Sequence, residues 1–101
     1  MALPDTPLEL FEGRIVRILS DDLKGDKHQR FIMEEPSGRT LLVAHNIDIA
    51  PRVERLFEGG KIRVFGEYEP NDLGGIIHWT HHDPEQRIEG GWIEFRRKRY
   101  A

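Results

Sequence analysis

The segment IIHWTHHDP gathers His78, His81, His82 and Asp83, residue types that ligate metals or carry protons, with Trp79 among them. Imidazole near neutral pH serves as donor, acceptor or cation, so the cluster fits ligand binding, proton transfer or a histidine–carboxylate metal site. A straight strand cannot make that metal site by itself, because His78 and His82 would point the same way about 13 Å apart. A turn at His81 and His82 would let them converge with the other stretch of similar character, His45, Asn46 and Asp48. The plainer alternative is that the histidines hydrogen-bond loop backbone and that Asp83, before Pro84, caps a turn. No HExxH pattern is present, and the residues leave any metal or cofactor unspecified.

A second group of candidates is cationic. Arg30 shares a strand face with His28, and Arg39 lies across the following hairpin. Together they would grip an anion, or each would pair at the surface with Glu34 or Glu35. Arg96, Arg97, Lys98 and Arg99 form the one basic run, either a phosphate-gripping tail or a solvated terminus. The net charge is −3, and taking away the four positive charges of that run leaves −7 for residues 1–95. So acidic a body repels phosphate backbones at long range, and a nucleic-acid contact must come from a local patch.

Single-stranded nucleic acid also requires exposed rings on which bases stack. Phe31 alternates with Met33 and reads as core. Phe65 faces outward, where it either stacks a base or packs beneath a C-terminal arm containing Trp92, Phe95 and Tyr100. The pairs Gly74–Gly75 and Gly90–Gly91 lack the strand–loop–helix context of a phosphate loop and read as turns. Ser20 and Ser37 also sit in turns, with no serine-hydrolase spacing around them.

The elements that must position these groups are mostly strands. A chain of 101 residues with 38% apolar and 33% charged side chains has the size and composition of one domain with a modest core. It has no cysteine, which excludes disulfides, thiolate zinc sites and cysteine nucleophiles. The start, MALPDTPLELFEG, lacks signal-peptide features and no stretch is long and apolar enough to span a bilayer. The sequence as written is therefore expected in the cytoplasm, or exported if a signal segment precedes it. Residues 1–10 read as an extended lead-in, 11–95 as the domain and 96–101 as the basic tail.

Period-two alternation predicts strands near 11–19, 28–34, 39–45, 61–69 and 75–81, and GWIEFRRKRY adds a sixth strand or an arm. Between the third and fourth strands the period changes. Ile49, Val53 and Leu56 fall at helical spacing, Asp48 is an N-cap and Gly59 a stop, which predicts a short helix from Asp48 to Leu56. The predicted core is Val16, Phe31, Met33, Leu41, Val43, Val53, Leu56, Ile62, Val64, Ile77 and Trp79.

Three strands, a helix and two strands is the order of an oligonucleotide/oligosaccharide-binding (OB) barrel, in which the helix plugs one end. The pieces GRIVRIL, DDLKGDKHQRFIMEEPSGRTLLVAHNIDIAPRV, GEYEPNDLGGIIHWTHHDP and GGWI resemble a bacterial family of small proteins of unknown function with an OB-like fold. Some members of that family are described as nucleic-acid-binding lipoproteins. The resemblance runs over residues 13–93 and implies a mainly β, five-stranded OB-like antiparallel barrel; the nucleic-acid label rests on fold analogy. This chain lacks the signal peptide and lipid-bearing cysteine of exported members. Three functions stay open: a module binding single-stranded nucleic acid or another anionic ligand through Arg30, Arg39, His45 and the tail; a small hydrolase or metal-binding protein using His78 to Asp83; and a homo-oligomeric domain that self-associates by an edge strand or the C-terminal arm.

Overall fold

Alternating apolar side chains place one face of each strand against a shared interior, and the computed structural model, which describes residues 1–101, shows how those faces meet. The strands are β1 (Glu9–Ile18), β2 (His28–Glu34), β3 (Thr40–Asn46), β4 (Lys61–Glu69), β5 (Ile76–His78), β6 (Trp92–Phe95) and β7 (Lys98–Tyr100). Neighbours run β1-β2-β3-β5-β4, and β4 pairs back onto β1, which closes a five-stranded barrel. The β3–β5 seam is parallel, joining Leu42 to Ile76 and Val43 to Ile77, a correction to the all-antiparallel expectation. The other pairings of the ring are antiparallel. β5 covers only Glu67 to Glu69 of its side of β4, so β6 pairs with Ile62 to Phe65 on the remainder and β7 extends the sheet outside the ring.

Phe11, Ile15, Phe31, Met33, Leu41, Val43, Ile62, Val64 and Ile77 fill the interior, and Ile93, Phe95 and Tyr100 continue it under the β6–β7 hairpin. Val16, expected inside, is 40% exposed, while its neighbour Ile15 is fully buried. Adjacent apolar residues in GRIVRIL left the parity of this strand undecided. The pairing of Phe11 with Val64 and Gly13 with Ile62 sets it, and a one-residue offset exchanges the two faces. A bulge between Ile15 and Arg17 then shifts the register against β2.

The predicted helix from Asp48 to Leu56 does not form; the chain there is a turn followed by irregular backbone. One helical-type bond survives, from the Ala50 N–H to the Asn46 carbonyl. Pro51 then disfavours helical geometry at Ala50, and Arg55 adopts a φ of 59°. Buried side chains hold the segment instead. The Gln29 amide donates to the Val53 carbonyl at 2.9 Å and accepts from the Val53 N–H at 2.8 Å, and His45 Nε2 meets the Pro51 carbonyl at 2.9 Å. So short a helix is marginal on its own, and three hydrogen bonds in a buried setting outweigh it. The loop does the helix's work, since Val53 is buried and half-buried Leu56 packs against the core at this end of the barrel.

The fifth strand ends at His78, short of the expected 81, because Trp79 turns into left-handed geometry at φ 59°. Residues 98–100 of the expected tail form β7. The inward parity of β1 carries a testable consequence. Ile15→Ala should destabilise the protein by about 2–5 kcal/mol in denaturant unfolding, while Val16→Ala should stay within roughly 1 kcal/mol. Equal losses would mean that the pairing of β1 with β4 is misplaced.

Candidate anion-binding groove

The segment from His78 to Asp83 leaves the barrel as a strap, and most of its polar groups are occupied. His78 lies on the outer face of β5 with Nε2 3.3 Å from Glu67 Oε1 and 3.4 Å from Glu69 Oε2. The second oxygen of buried Glu67 accepts the Thr6 N–H at 2.8 Å and the Thr6 hydroxyl at 3.2 Å. His81 is buried and stacks on Trp79 at 4.6 Å between ring centres, its Nδ1 donating to the His82 carbonyl at 2.7 Å. His82 is exposed and donates from Nδ1 to the backbone oxygen of Ala101 at 3.2 Å.

Asp83 is the anchor of the following turn. It accepts the Glu85 and Arg87 N–H groups at 3.1 and 2.9 Å and both ends of the Arg87 guanidinium at 3.0 and 3.1 Å. The Arg87 guanidinium holds the Asp83 carboxyl well below the usual carboxylate range. Gly91 closes the strap by donating its N–H to the His81 carbonyl at 2.7 Å. A Cβ there would meet the carbonyls of Phe65 and Trp79, so the approach requires glycine.

His45 lies against this strap through Thr80, whose buried hydroxyl is 2.7 Å from His45 Nδ1. Nε2 donates to the Pro51 carbonyl, and in the neutral ring that burial favours Nδ1 accepts from the Thr80 hydroxyl. Burial pushes the His45 pKa down to about 4, and burial also lowers His81. Asp48 and Asn46 lie elsewhere in function: Asp48 accepts the Lys27 N–H at 2.9 Å, and Asn46 bonds Asp26 at 2.9 Å and the Asp48 N–H at 3.0 Å. Nowhere do three or more histidine, aspartate or glutamate side chains converge in a way that could hold a metal ion.

The cations expected beside strand two are likewise engaged. Arg30 Nε donates to the Ser20 carbonyl at 3.0 Å, and Arg39 pairs with Glu35 while its guanidinium lies 5.3 Å from the centre of the Tyr68 ring.

A different set of charges is not neutralised by carboxylates, although Arg14 Nη1 donates to the Gly59 carbonyl at 2.9 Å. On the outer face of β1, β4, β6 and β7, Glu12, Arg63, Glu94 and Arg99 stand opposite one another in register and form a ladder of ion pairs at 3.2, 2.9 and 3.2 Å. Arg63, with Arg99, lowers the Glu94 pKa. One step along the strands Arg14 faces Lys61, two like charges directly opposite. The β6–β7 turn brings Arg96 and Arg97 to the same end, both in left-handed geometry at φ 52° and 66°.

These residues line a groove of about 730 Å³ with Glu12, Arg63, Glu94 and the end of the β2–β3 hairpin. Glu12, Glu35 and Glu94 in its wall are neutralised by arginines. Arg14, Lys61, Arg96 and Arg97 have no carboxylate partner, and the lining as a whole, five cations against four carboxylates, carries one net positive charge. Arg96 and Arg97 belong to the basic run visible in the sequence. Arg14 and Lys61 carried no sequence signal, because only the β1–β4 register brings them together.

The buried histidines predict an early acid transition. A histidine whose folded pKa lies below the ordinary 6.5 contributes stability that is whole above that value and drains away as pH falls toward about 4. Urea unfolding should therefore lose up to about 3 kcal/mol over that window, before most carboxylates titrate, and His45→Gln should flatten the slope. A stability profile that stays level until pH 4.5 would contradict the buried neutral ring.

No curated protein and no solved structure gives a significant match to this chain. A family model does, described as protein of unknown function (DUF3465) and matching residues 9–101, which is the whole barrel with its C-terminal hairpin. On that match the chain belongs to the DUF3465 family of proteins of unknown function.

Proposed function

We propose that this protein is a binding module for an anionic ligand bearing phosphate or similar groups, single-stranded nucleic acid included, and that the groove at Arg14, Lys61, Arg96 and Arg97 is its contact surface. The observation that carries this reading is the Arg14–Lys61 pair. Like charges directly opposite on neighbouring strands are destabilising, and no carboxylate of the protein relieves them. The hairpin turn adds to it. Two non-glycine residues with positive φ are costly where Asn-Gly would be at ease, and strain of that kind collects at functional sites.

The strap supports the same reading from the other side, because His45, His81 and Asp83 are buried and bonded within the fold. That occupation favours a scaffold role over hydrolysis. β7, the open edge of the sheet, is short and carries Lys98 and Arg99, features that discourage edge-to-edge pairing with another copy.

The test separates stability from binding. Arg96→Asn combined with Arg97→Gly should raise stability by about 1 kcal/mol, through relief of the turn, while weakening polyanion binding. With four cations neutralising phosphates, the log–log salt slope for a single strand should be about −3, and the double variant should reduce it to about −1.4. Binding and slope unchanged in the variant would overturn the assignment of the groove.

A further inference from the structure

Two residues up the strands from the charge ladder, the same outer face carries a row of apolar side chains. Phe65 on β4 stands opposite Trp92 on β6 and, on its other side, opposite Leu10 of β1. The Phe65 and Trp92 ring centres are 5.7 Å apart with 25° between planes, so the two rings are stacked on one another. Both are half-buried, and Leu10 is exposed. What lies over Trp92 is not another apolar group. It is the Arg99 guanidinium, 3.8 Å from the ring centre, with Arg63 at 5.6 Å.

Arg99 is half exposed, and its one carboxylate bond, to Glu94, runs along the edge of this row at 3.2 Å. A planar cation therefore occupies the position that a planar ligand ring would take. We infer that Trp92, flanked by Phe65, is a stacking platform on which an unsaturated ring of the groove's anionic ligand takes the place of Arg99. The inference rests on the anion-binding reading and adds to it the chemical class of the ligand: a polyanion that carries flat rings, of single-stranded oligonucleotide type.

Magnitudes favour the exchange. An exposed guanidinium–ring contact contributes roughly two- to fivefold in an equilibrium, whereas a base stacked on an aromatic side chain contributes about fivefold to more than a hundredfold. The displaced Arg99 keeps Glu94 within reach and is set free beside the ring, where a phosphate adjoining that ring would lie. Spacing points to an oligomeric ligand. Trp92 and Arg96 are four residues apart along the chain, about 13 Å of strand, further than one ring and its own phosphate extend. The outer face of β2 and β3, from His28 and Arg30 to Leu42 and Ala44, carries no Phe, Tyr or Trp.

The decisive comparison is between a ten-nucleotide oligothymidylate and an abasic strand of the same length and charge, each titrated at low salt, with inorganic polyphosphate alongside. The oligothymidylate should bind at least fivefold more tightly than the abasic strand and quench tryptophan fluorescence, with Trp79 buried as a steady background. Trp92→Leu should bring its affinity down to that of the abasic strand, and Arg99→Gln, which uncovers the ring without touching the core, should preserve the advantage of the bases. Equal affinity of the two strands for the unaltered protein, without a fluorescence change, would overturn the platform while leaving the groove in place. Failure of all three polyanions to bind would remove the anion-binding reading itself, and the platform with it.

Discussion

The closure of the barrel by β1 is the constraint on which the remainder depends. β1 serves two partners in succession, β4 along Glu9 to Arg14 and β2 from Arg14 to Ile18, and Arg14 belongs to both pairings. At this crossing the backbones come so close that Gly13 has no room for a Cβ against the Glu34 carbonyl. Just past this crossing, a bulge between Ile15 and Arg17 shifts the register of β1 against β2. Once closed, the ring orders every outward row. The salt ladder, the cation row and the aromatic row are successive rungs of one β1–β4–β6 register, so the site's composition follows from how the barrel shuts.

The interior polar groups are the second organising feature. Gln29, His45, Thr80 and Asp83 are buried and each has hydrogen-bond partners, and no buried side-chain nitrogen or oxygen is left without one. Their partners are irregular segments rather than other strands: Gln29 and His45 hold the loop that plugs one end, while Thr80 and Asp83 shape the strap between β5 and β6. A small barrel has little apolar area with which to fix such segments, so side-chain-to-backbone bonds take over that task. The histidine-rich motif thus shapes the fold, and the strap that it begins delivers Gly91 and then Trp92 to the open edge of β4.

On the outer face, opposite charges alternate across four strands and cancel, and cancellation there makes the unpaired row beside it distinct. An overall acidic protein presents a local positive groove because its acids are spent within the ladder and at the β2–β3 hairpin. Long-range attraction of a polyanion by so acidic a protein is weak, so on the proposed reading recognition would depend on short-range contacts.

By itself the sequence determined the strands, because period-two alternation in HQRFIME, TLLVAHN and KIRVFGEYE leaves one face to bury, and it pointed to a five-stranded barrel. It also displayed the two stretches that matter, the histidine strap and the basic run. Only the tertiary structure decided the parity of β1, where Ile15 and Val16 are equally apolar, and the state of residues 48–56, where helical spacing competed with buried side chains of Gln29 and His45. It alone decided that His45 and His81 are bonded inward and that Arg14 and Lys61 meet. The physical reason is common to these cases. Alternation and propensity act between residues near in sequence, whereas strand register and the satisfaction of a buried polar group are settled by partners far along the chain, and neither leaves a local mark.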